Sequence, residues 1–151
     1  MKKFLLALFV LFAFAQSQQN PSIKSFTDTK TGKKYKIFDT ENLAWFIQDL
    51  GNYSWDAAMK SCPADWRLPT NEEWKSVEIF FAAHPALWEE FRKSARNKEK
   101  IEKKTGFGFW WSATEAEPGT AYFQFMYEGY NDMYEGYDPK DVKHAVRCVK
   151  E

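Results

Sequence analysis

The chain has 151 residues with 21 basic and 21 acidic side chains, so its formal net charge is zero. This balance gives no sign of the strongly basic face that nucleic-acid-binding proteins carry, and the length leaves room for one domain with a core large enough to fold alone. Aromatic residues make up 19% of the chain. We expect some of these rings at the surface, because so small a core can bury only part of them.

The first fifteen residues have the pattern of a secretory signal. Lys2-Lys3 precedes an apolar run over residues 4–15, which ends in Ala-Phe-Ala and is too short to span a bilayer comfortably. The alternative is a buried N-terminal helix. We predict a signal peptide at 1–15, a flexible segment at 16–24 and one domain at 25–151, in a secreted or cell-surface protein with no membrane span after signal removal.

The domain is predicted to begin with short strands. Residues 25–38 show partial alternation on both sides of a turn at Lys30-Thr31-Gly32, which indicates two strands. The apolar run over residues 41–50 fits either a third strand or a turn of helix, and we favour the strand.

Two helices joined by a stiff turn are predicted next. Ser54 is a good N-cap for a helix over residues 54–61, which Pro63 ends. Thr70 is followed three residues later by Glu73, the spacing of a capping box before a second helix. That helix ends at His84-Pro85, because the residue before proline avoids the helical region. The residues expected to face the core are Trp55, Ala58, Met59 and Cys62 in the first helix, and Trp74, Val77, Phe80 and Phe81 in the second.

A third, basic helix is predicted over residues 87–104. Residues 92–104 hold seven basic side chains against Glu99 and Glu102, a local charge of +5. One interpretation is a solvated helix surface. The other is a basic surface for an acidic polymer of the cell envelope.

The second half of the chain is predicted to consist of strands. Residues 106–115 and 120–127 form the first two, with a turn at Glu117-Pro118-Gly119. The pentapeptide Met-Tyr-Glu-Gly-Tyr then occurs twice, at 126–130 and 133–137, which fits two strands joined at Asn131-Asp132. Residues 142–150 alternate as a last strand.

Two cysteines, Cys62 and Cys148, follow the predicted signal. Because an exported protein meets an oxidising environment, we predict one disulfide bond between them. The alternative is a reactive or metal-binding thiol pair.

Several blocks of this chain resemble the Fibrobacter succinogenes major paralogous domain (FISUMP) family. The residues that carry the resemblance are Asp28, Gly32, Lys33, Tyr35, Lys36, Trp45, residues 62–70 with Glu73 and Trp74, residues 109–115 and residues 146–150. The resemblance implies a fold similar to C-type lectins: an α+β domain with two or three helices packed on small antiparallel sheets and a long-range disulfide from the first helix to the last strand.

The chain departs from the family at three places. Asp65 stands where glycine is usual, residues 45–50 differ from the family's Trp-Met-Ala-Glu-Asn-Leu segment, and the lysine-rich segment replaces a glycine-rich loop before the Trp-Trp strand. In lectin-like domains that long loop often builds the ligand site. A binding activity of this chain is therefore expected to depend on other residues.

Calcium is the one cofactor that the sequence raises, and no catalytic or metal residues are assigned. Lectin-like calcium sites use a Glu-Pro-Asn loop and a downstream Trp-Asn-Asp, which residues 117–119 and 130–132 match in part. Turns favour the same residue types. The two histidines, His84 and His144, lie in different predicted elements with no nucleophile motif beside them, and the cysteines are assigned to the disulfide, so we expect no enzyme.

The repeat is the best candidate for a binding site. Flat rings stack on sugar faces, and neighbouring acids accept hydrogen bonds from sugar hydroxyls. The alternative is that half of these tyrosines face the core, as strand alternation requires. We predict a noncatalytic binding or adhesion module for glycans or cell-surface proteins, and the second hypothesis is a structural surface protein that uses its basic helix and has no sugar site. The predicted ligand-binding residues are Tyr127, Glu128, Tyr130, Asn131, Asp132, Tyr134, Glu135 and Tyr137.

Overall fold

The computed structural model describes residues 21–95 and 97–151, so the predicted signal peptide and most of the flexible segment lie outside the described residues. The architecture is mixed α+β, with helices on antiparallel sheets, as predicted. In chain order the elements are β1 (Lys24–Thr27), β2 (Lys34–Asp39), β3 (Ala44–Phe46), β4 (Asn52–Tyr53), α1 (Trp55–Ala58), α2 (Asn71–Ala83), α3 (Pro85–Lys93), β5 (Lys98–Ile101), β6 (Lys104–Glu115), β7 (Thr120–Tyr127), β8 (Met133–Pro139), β9 (His144–Ala145) and β10 (Val149–Lys150).

The strands form two sheets. The four-stranded sheet has the order β1-β2-β3-β10, and the six-stranded sheet has the order β4-β9-β6-β7-β8 with β5 paired to β6. The predicted hairpins are confirmed: β1 pairs with β2 and β7 with β8, both antiparallel. β9 pairs with β6 in parallel at Ala145 and Trp110.

Aromatic side chains fill the core on the helix-bearing side of the six-stranded sheet. Trp74 from α2 stacks on Trp110 from β6, with ring centroids 5.7 Å apart, and meets Trp45 from β3 edge-on at 5.1 Å. Phe91 from α3 lies 5.4 Å from Trp110. The core face predicted for α2 is largely confirmed, because Trp74, Val77 and Phe81 are buried and Phe80 is partly buried.

The capping box is also confirmed. The Thr70 hydroxyl accepts a hydrogen bond from the Glu73 amide at 3.3 Å, and Glu73 accepts one from the Thr70 amide at 2.8 Å. We expect Thr70→Ala to lower the free energy of unfolding by about 1 kcal/mol, since it leaves an amide of the first turn without a partner. Urea denaturation measures this change. Thr70→Ser keeps the hydroxyl and serves as the control, so equal losses in both variants would contradict the capping role.

The first helix is shorter than predicted. α1 ends at Ala58, and the amides of Lys60 and Ser61 bond to carbonyls three residues back, which tightens the chain into a turn. Met59 is consequently 43% exposed rather than directed to the core. Cys62 lies beyond this turn, so the disulfide starts from the corner after the helix.

The predicted basic helix over residues 87–104 is wrong beyond Lys93. The Ser94 hydroxyl lies within hydrogen-bond distance of the carbonyls of Phe91 and Ile47 and donates its single proton to one of them, which fixes the chain at the end of α3. Lys98–Ile101 then pairs with β6 through a two-residue turn in which Glu102 has a φ of 56°. Pairing with a long neighbouring strand outweighs the helix propensity of the lysines and glutamates here.

The predicted last strand is divided between the two sheets. β9 belongs to the six-stranded sheet and β10 to the four-stranded sheet, and every residue from His144 to Val149 is buried. The expected alternation of buried and exposed side chains is therefore wrong. The segment crosses between two packed layers, so both of its faces are covered.

The predicted disulfide is confirmed. Cys62 and Cys148 are bonded, with their Cα atoms 5.9 Å apart. The same crossing segment is tied to the corner by backbone hydrogen bonds in both directions between Arg67 and Val149. Within the described part of the chain, no helix has the length and apolar character that a membrane crossing requires.

Candidate functional site

Three tyrosines of the repeat come together where β7 and β8 meet. We call them, with Lys104, the tyrosine patch. The ring centroid of Tyr127 lies 6.2 Å from that of Tyr130 and 5.0 Å from that of Tyr134, and both pairs are close to edge-on. Tyr130 is 40% exposed, while Tyr127 and Tyr134 are partly buried.

Lys104 adds a positive charge to the tyrosine patch. Its ammonium lies 4.5 Å from the ring centroid of Tyr130 and 5.1 Å from that of Tyr127. The contact with Tyr130 raises the pKa of Lys104, against an opposing effect of desolvation. The patch thus offers aromatic rings, phenolic hydroxyls and one cation, a combination suited to a hydroxyl-rich ligand.

Strand alternation separates the remaining residues of the repeat from the tyrosine patch. Tyr134 pairs with Phe125 and Tyr137 pairs with Tyr122, so Tyr134 and Tyr137 point to opposite faces of the sheet. Glu135 shares the face of Tyr137 and accepts a hydrogen bond from the Asn71 amide at 2.6 Å. The eight predicted residues therefore do not form a single surface.

The loop between β7 and β8 holds the other three predicted residues. Glu128 is paired with Lys98 at 2.5 Å, and this hydrogen bond lowers the pKa of Glu128. Asn131 and Asp132 line a pocket of about 320 Å³ beside Trp88 of α3. These acids and amides thus border the tyrosine patch without entering it.

The two segments proposed for calcium are far apart. Glu117 precedes β7 and Asn131-Asp132 follows it, and eight residues at about 3.3 Å each separate the two ends by about 25 Å. Among the residues that the structure describes, no group of three or more His, Cys, Asp or Glu side chains is placed to hold a metal. The structure does not bring these predicted oxygen ligands together.

The basic residues of the second hypothesis are distributed over three elements, since Lys104 begins β6 and belongs to the tyrosine patch. Arg92 and Lys93 end α3, whereas Lys98 and Lys100 lie on β5. Arg92 bonds to Glu89 at 3.0 Å, and Lys98 is paired with Glu128. Arg96 lies outside the described residues.

The structure also contains a polar site that the sequence did not predict. We call it the histidine pocket, and its lining includes Phe109, Asn97, Glu99, Asp138, Lys143 and His144. His144 Nε2 lies 2.8 Å from an Asp138 oxygen. The two residues are six positions apart on different strands, and only the fold brings them together. An Asp shortly before a His at a strand start is a weak signal, since turns favour Asp anyway.

Comparisons with models of known protein families, with curated proteins and with solved structures find no match to this chain. The resemblance to the FISUMP family and to the C-type lectin-like fold therefore stays a prediction. The candidate functional site is therefore the tyrosine patch with its surroundings.

Proposed function

We propose that this chain is an exported, noncatalytic binding module that attaches to glycans or to glycan-bearing surface proteins through the tyrosine patch. The observation that carries the proposal is the close grouping of Tyr127, Tyr130 and Tyr134 around Lys104. Aromatic rings give a sugar a flat apolar surface, and the hydroxyls and the ammonium give it hydrogen-bond partners. The proposal includes FISUMP membership and a C-type lectin-like arrangement.

The disulfide supports the proposal that the protein is exported. A disulfide persists in an oxidising compartment and is rare in the cytosol. The signal-like pattern of residues 1–15 agrees with this location. Binding outside the cell would bring the tyrosine patch into contact with environmental or envelope glycans.

We expect the double variant Tyr130→Ala and Tyr134→Ala to weaken glycan binding at least tenfold. Each substitution removes one ring from the patch, and a factor of ten corresponds to about 1.4 kcal/mol. A glycan array identifies the ligand, and isothermal titration calorimetry of the full chain with its disulfide formed measures the change.

Tyr137→Ala is the matched control. Tyr137 comes from the same repeat and is 56% exposed, but it lies on the opposite face of β8. Its loss is expected to leave binding unchanged. Equal weakening by Tyr137→Ala and by the double variant would overturn the patch as the binding site.

The second hypothesis, a structural surface protein without a sugar site, gives a different result in the same assay. Neutralising the basic residues would then abolish attachment to acidic polymers, while the tyrosine variants would have no effect. The residues to neutralise are Arg92, Lys93, Arg96 and Lys100. Running the array with and without a chelator tests calcium, because binding that needs calcium is lost when the metal is removed.

A further inference from the structure

The imidazole of His144 lies in the wall of the histidine pocket, which has a volume of about 650 Å³. This volume is within the range of small-molecule sites in proteins. His144 is 5% exposed, and its ring centroid lies 4.4 Å from that of Trp111 and 4.5 Å from that of Phe123. These rings hold the imidazole in one orientation.

The hydrogen bond to Asp138 decides which nitrogen of His144 carries a proton. A carboxylate only accepts, so Nε2 is the donor in this 2.8 Å contact. Burial lowers the pKa of His144, against the opposing effects of Asp138 and Glu99, which favours the neutral ring at pH 7. Nδ1 is then an acceptor, and no residue within 21–95 or 97–151 donates a hydrogen bond to it.

The remaining wall of the histidine pocket offers both donors and acceptors. Asn97 exchanges amide hydrogen bonds with Asn52 at 2.8 and 3.2 Å, which orients both amides. Lys143, Glu99 and Asp138 add charges of both signs, while Lys98 of the same wall is paired with Glu128 outside the pocket. A wall that offers both donors and acceptors, with Phe109 beside the polar groups, fits a ligand whose hydroxyls both donate and accept hydrogen bonds.

We propose that the histidine pocket binds a neutral, hydroxyl-rich ring, such as one residue of a glycan, with a ligand hydroxyl donating to Nδ1 of His144. The class of ligand rests on the proposed function, but the site shares no residue with the tyrosine patch. The two sites lie on one face of the sheet: Phe109 stacks on Phe125 at 5.5 Å, and Phe125 lies 5.1 Å from Tyr127. They are therefore suited to two residues of one extended glycan.

Nitrogen-15 NMR of the imidazoles in the full chain tests this proposal directly. The probes are the methyl β-glycosides of glucose, galactose and N-acetylglucosamine. With at least one of them, we expect the Nδ1 resonance of His144 to move and saturate. His84, the other histidine in the chain, serves as the internal reference and is expected to stay unchanged. Absence of movement with all three probes, or equal movement of His84, would overturn the proposal.

Asp138→Asn tests the role of Asp138 as a positioning residue. The asparagine amide can donate to Nε2, which shifts the proton to Nδ1 and removes the acceptor. We expect the imidazole spectrum to report this tautomer change and the affinity for the probe to fall about tenfold, the effect of losing one hydrogen bond. A tautomer change without any loss of affinity contradicts the proposal.

The pH dependence provides a measurement that needs no variant. The charged groups that line the pocket with His144 are Asp138 on β8, Glu99 and Lys98 on β5, and Lys143 before β9. Of these, Asp138 and Glu99 act on the pKa of His144. Protonation of Nδ1 removes the acceptor, so binding is expected to be complete at pH 7 and to fall as the pH drops through the lowered pKa of His144. Binding that is constant through this titration, or that strengthens, would overturn the proposal.

The two binding proposals fail separately. In the variant Tyr130→Ala and Tyr134→Ala, the His144 resonance is still expected to move with the monosaccharide probe. If the His144 resonance moves with the probe while the tyrosine variants leave array binding unchanged, only the proposal about the tyrosine patch is wrong. If array binding depends on the tyrosines but the His144 resonance does not move, only the proposal about the histidine pocket is wrong.

Discussion

Arg147→Met is expected to lower the free energy of unfolding by about 3–5 kcal/mol, because it leaves a buried carboxylate without its cation. Arg147 is fully buried, and its Nε donates to Asp49 at 2.9 Å. The remaining guanidinium nitrogens donate to the Phe91 carbonyl and the Ser94 hydroxyl. After the substitution, the hydrogen bond that Asp49 keeps within the described part of the chain is the one from Trp110 Nε1, at 2.8 Å.

Three further variants separate charge from packing: Asp49→Asn alone, the same change combined with Arg147→Met, and Arg67→Met. Asp49→Asn combined with Arg147→Met removes both charges, and we expect the double variant to be more stable than the sum of the single losses predicts. Arg67→Met is the surface control, since Arg67 pairs with Glu73 and Glu151 but its side chain is 42% exposed. Exposed ion pairs contribute at most about 1 kcal/mol. Urea denaturation at pH 7 with the disulfide intact gives all four values, and equal losses for Arg147→Met and Arg67→Met would contradict the role of the buried pair.

The sequence alone predicts the helices and strands whose ends carry a capping residue, a proline or a turn motif. Thr70 and Glu73 predict the start of α2, and Pro85 predicts its end. The turn residues on both sides of β7 predict its bounds within one residue. In each case a side chain or a proline ring acts on the backbone within a few residues, so no distant contact is needed.

The sequence was misleading where distant contacts decide the local structure. Lys98–Ile101 contains good helix formers, yet it forms a strand because β6 offers it a paired edge. Residues 144–149 were predicted to alternate between two faces of one strand, yet all of them are buried because both sheets cover them. Arg147 lies in that segment, and nothing near it in the sequence indicates that Asp49, Phe91 and Ser94 will surround it.

In the candidate site, too, the sequence predicts what depends on local residues, and only the fold shows what depends on distant contacts. The repeat predicts strands that the structure places in the β7–β8 hairpin. The register of this hairpin directs Tyr134 and Tyr137 to opposite faces of the sheet. The alternative that half of the tyrosines face the core fits Tyr127 and Tyr134, which pack against a core cluster, and does not fit Tyr137, which is 56% exposed. The histidine pocket could not be predicted, because its residues come from five separate parts of the chain and meet only in the folded sheet.

Removal of the disulfide is expected to cost about 4–5 kcal/mol in the free energy of unfolding. Cys62 and Cys148 are 86 positions apart, and in the chain-entropy model the gain from a cross-link grows with the length of the loop that it closes in the unfolded chain. The contacts beside the disulfide are backbone hydrogen bonds that do not involve its sulfur atoms. Arg67 and Val149 bond through their backbones, and the Phe46 amide donates to the Cys148 carbonyl at 2.9 Å. The bond therefore acts mainly by restricting the unfolded state.

The double variant Cys62→Ala and Cys148→Ala, followed by urea denaturation, measures this contribution. Reduction of the unmodified chain with dithiothreitol is the matched comparison, and both treatments are expected to give the same loss. An unchanged unfolding midpoint after reduction would show that the cross-link contributes nothing. Single domains are stable by about 5–15 kcal/mol in all, so a loss of the expected size would leave the reduced protein marginal. The fold would then depend on an oxidising compartment, which links its stability to the proposed export.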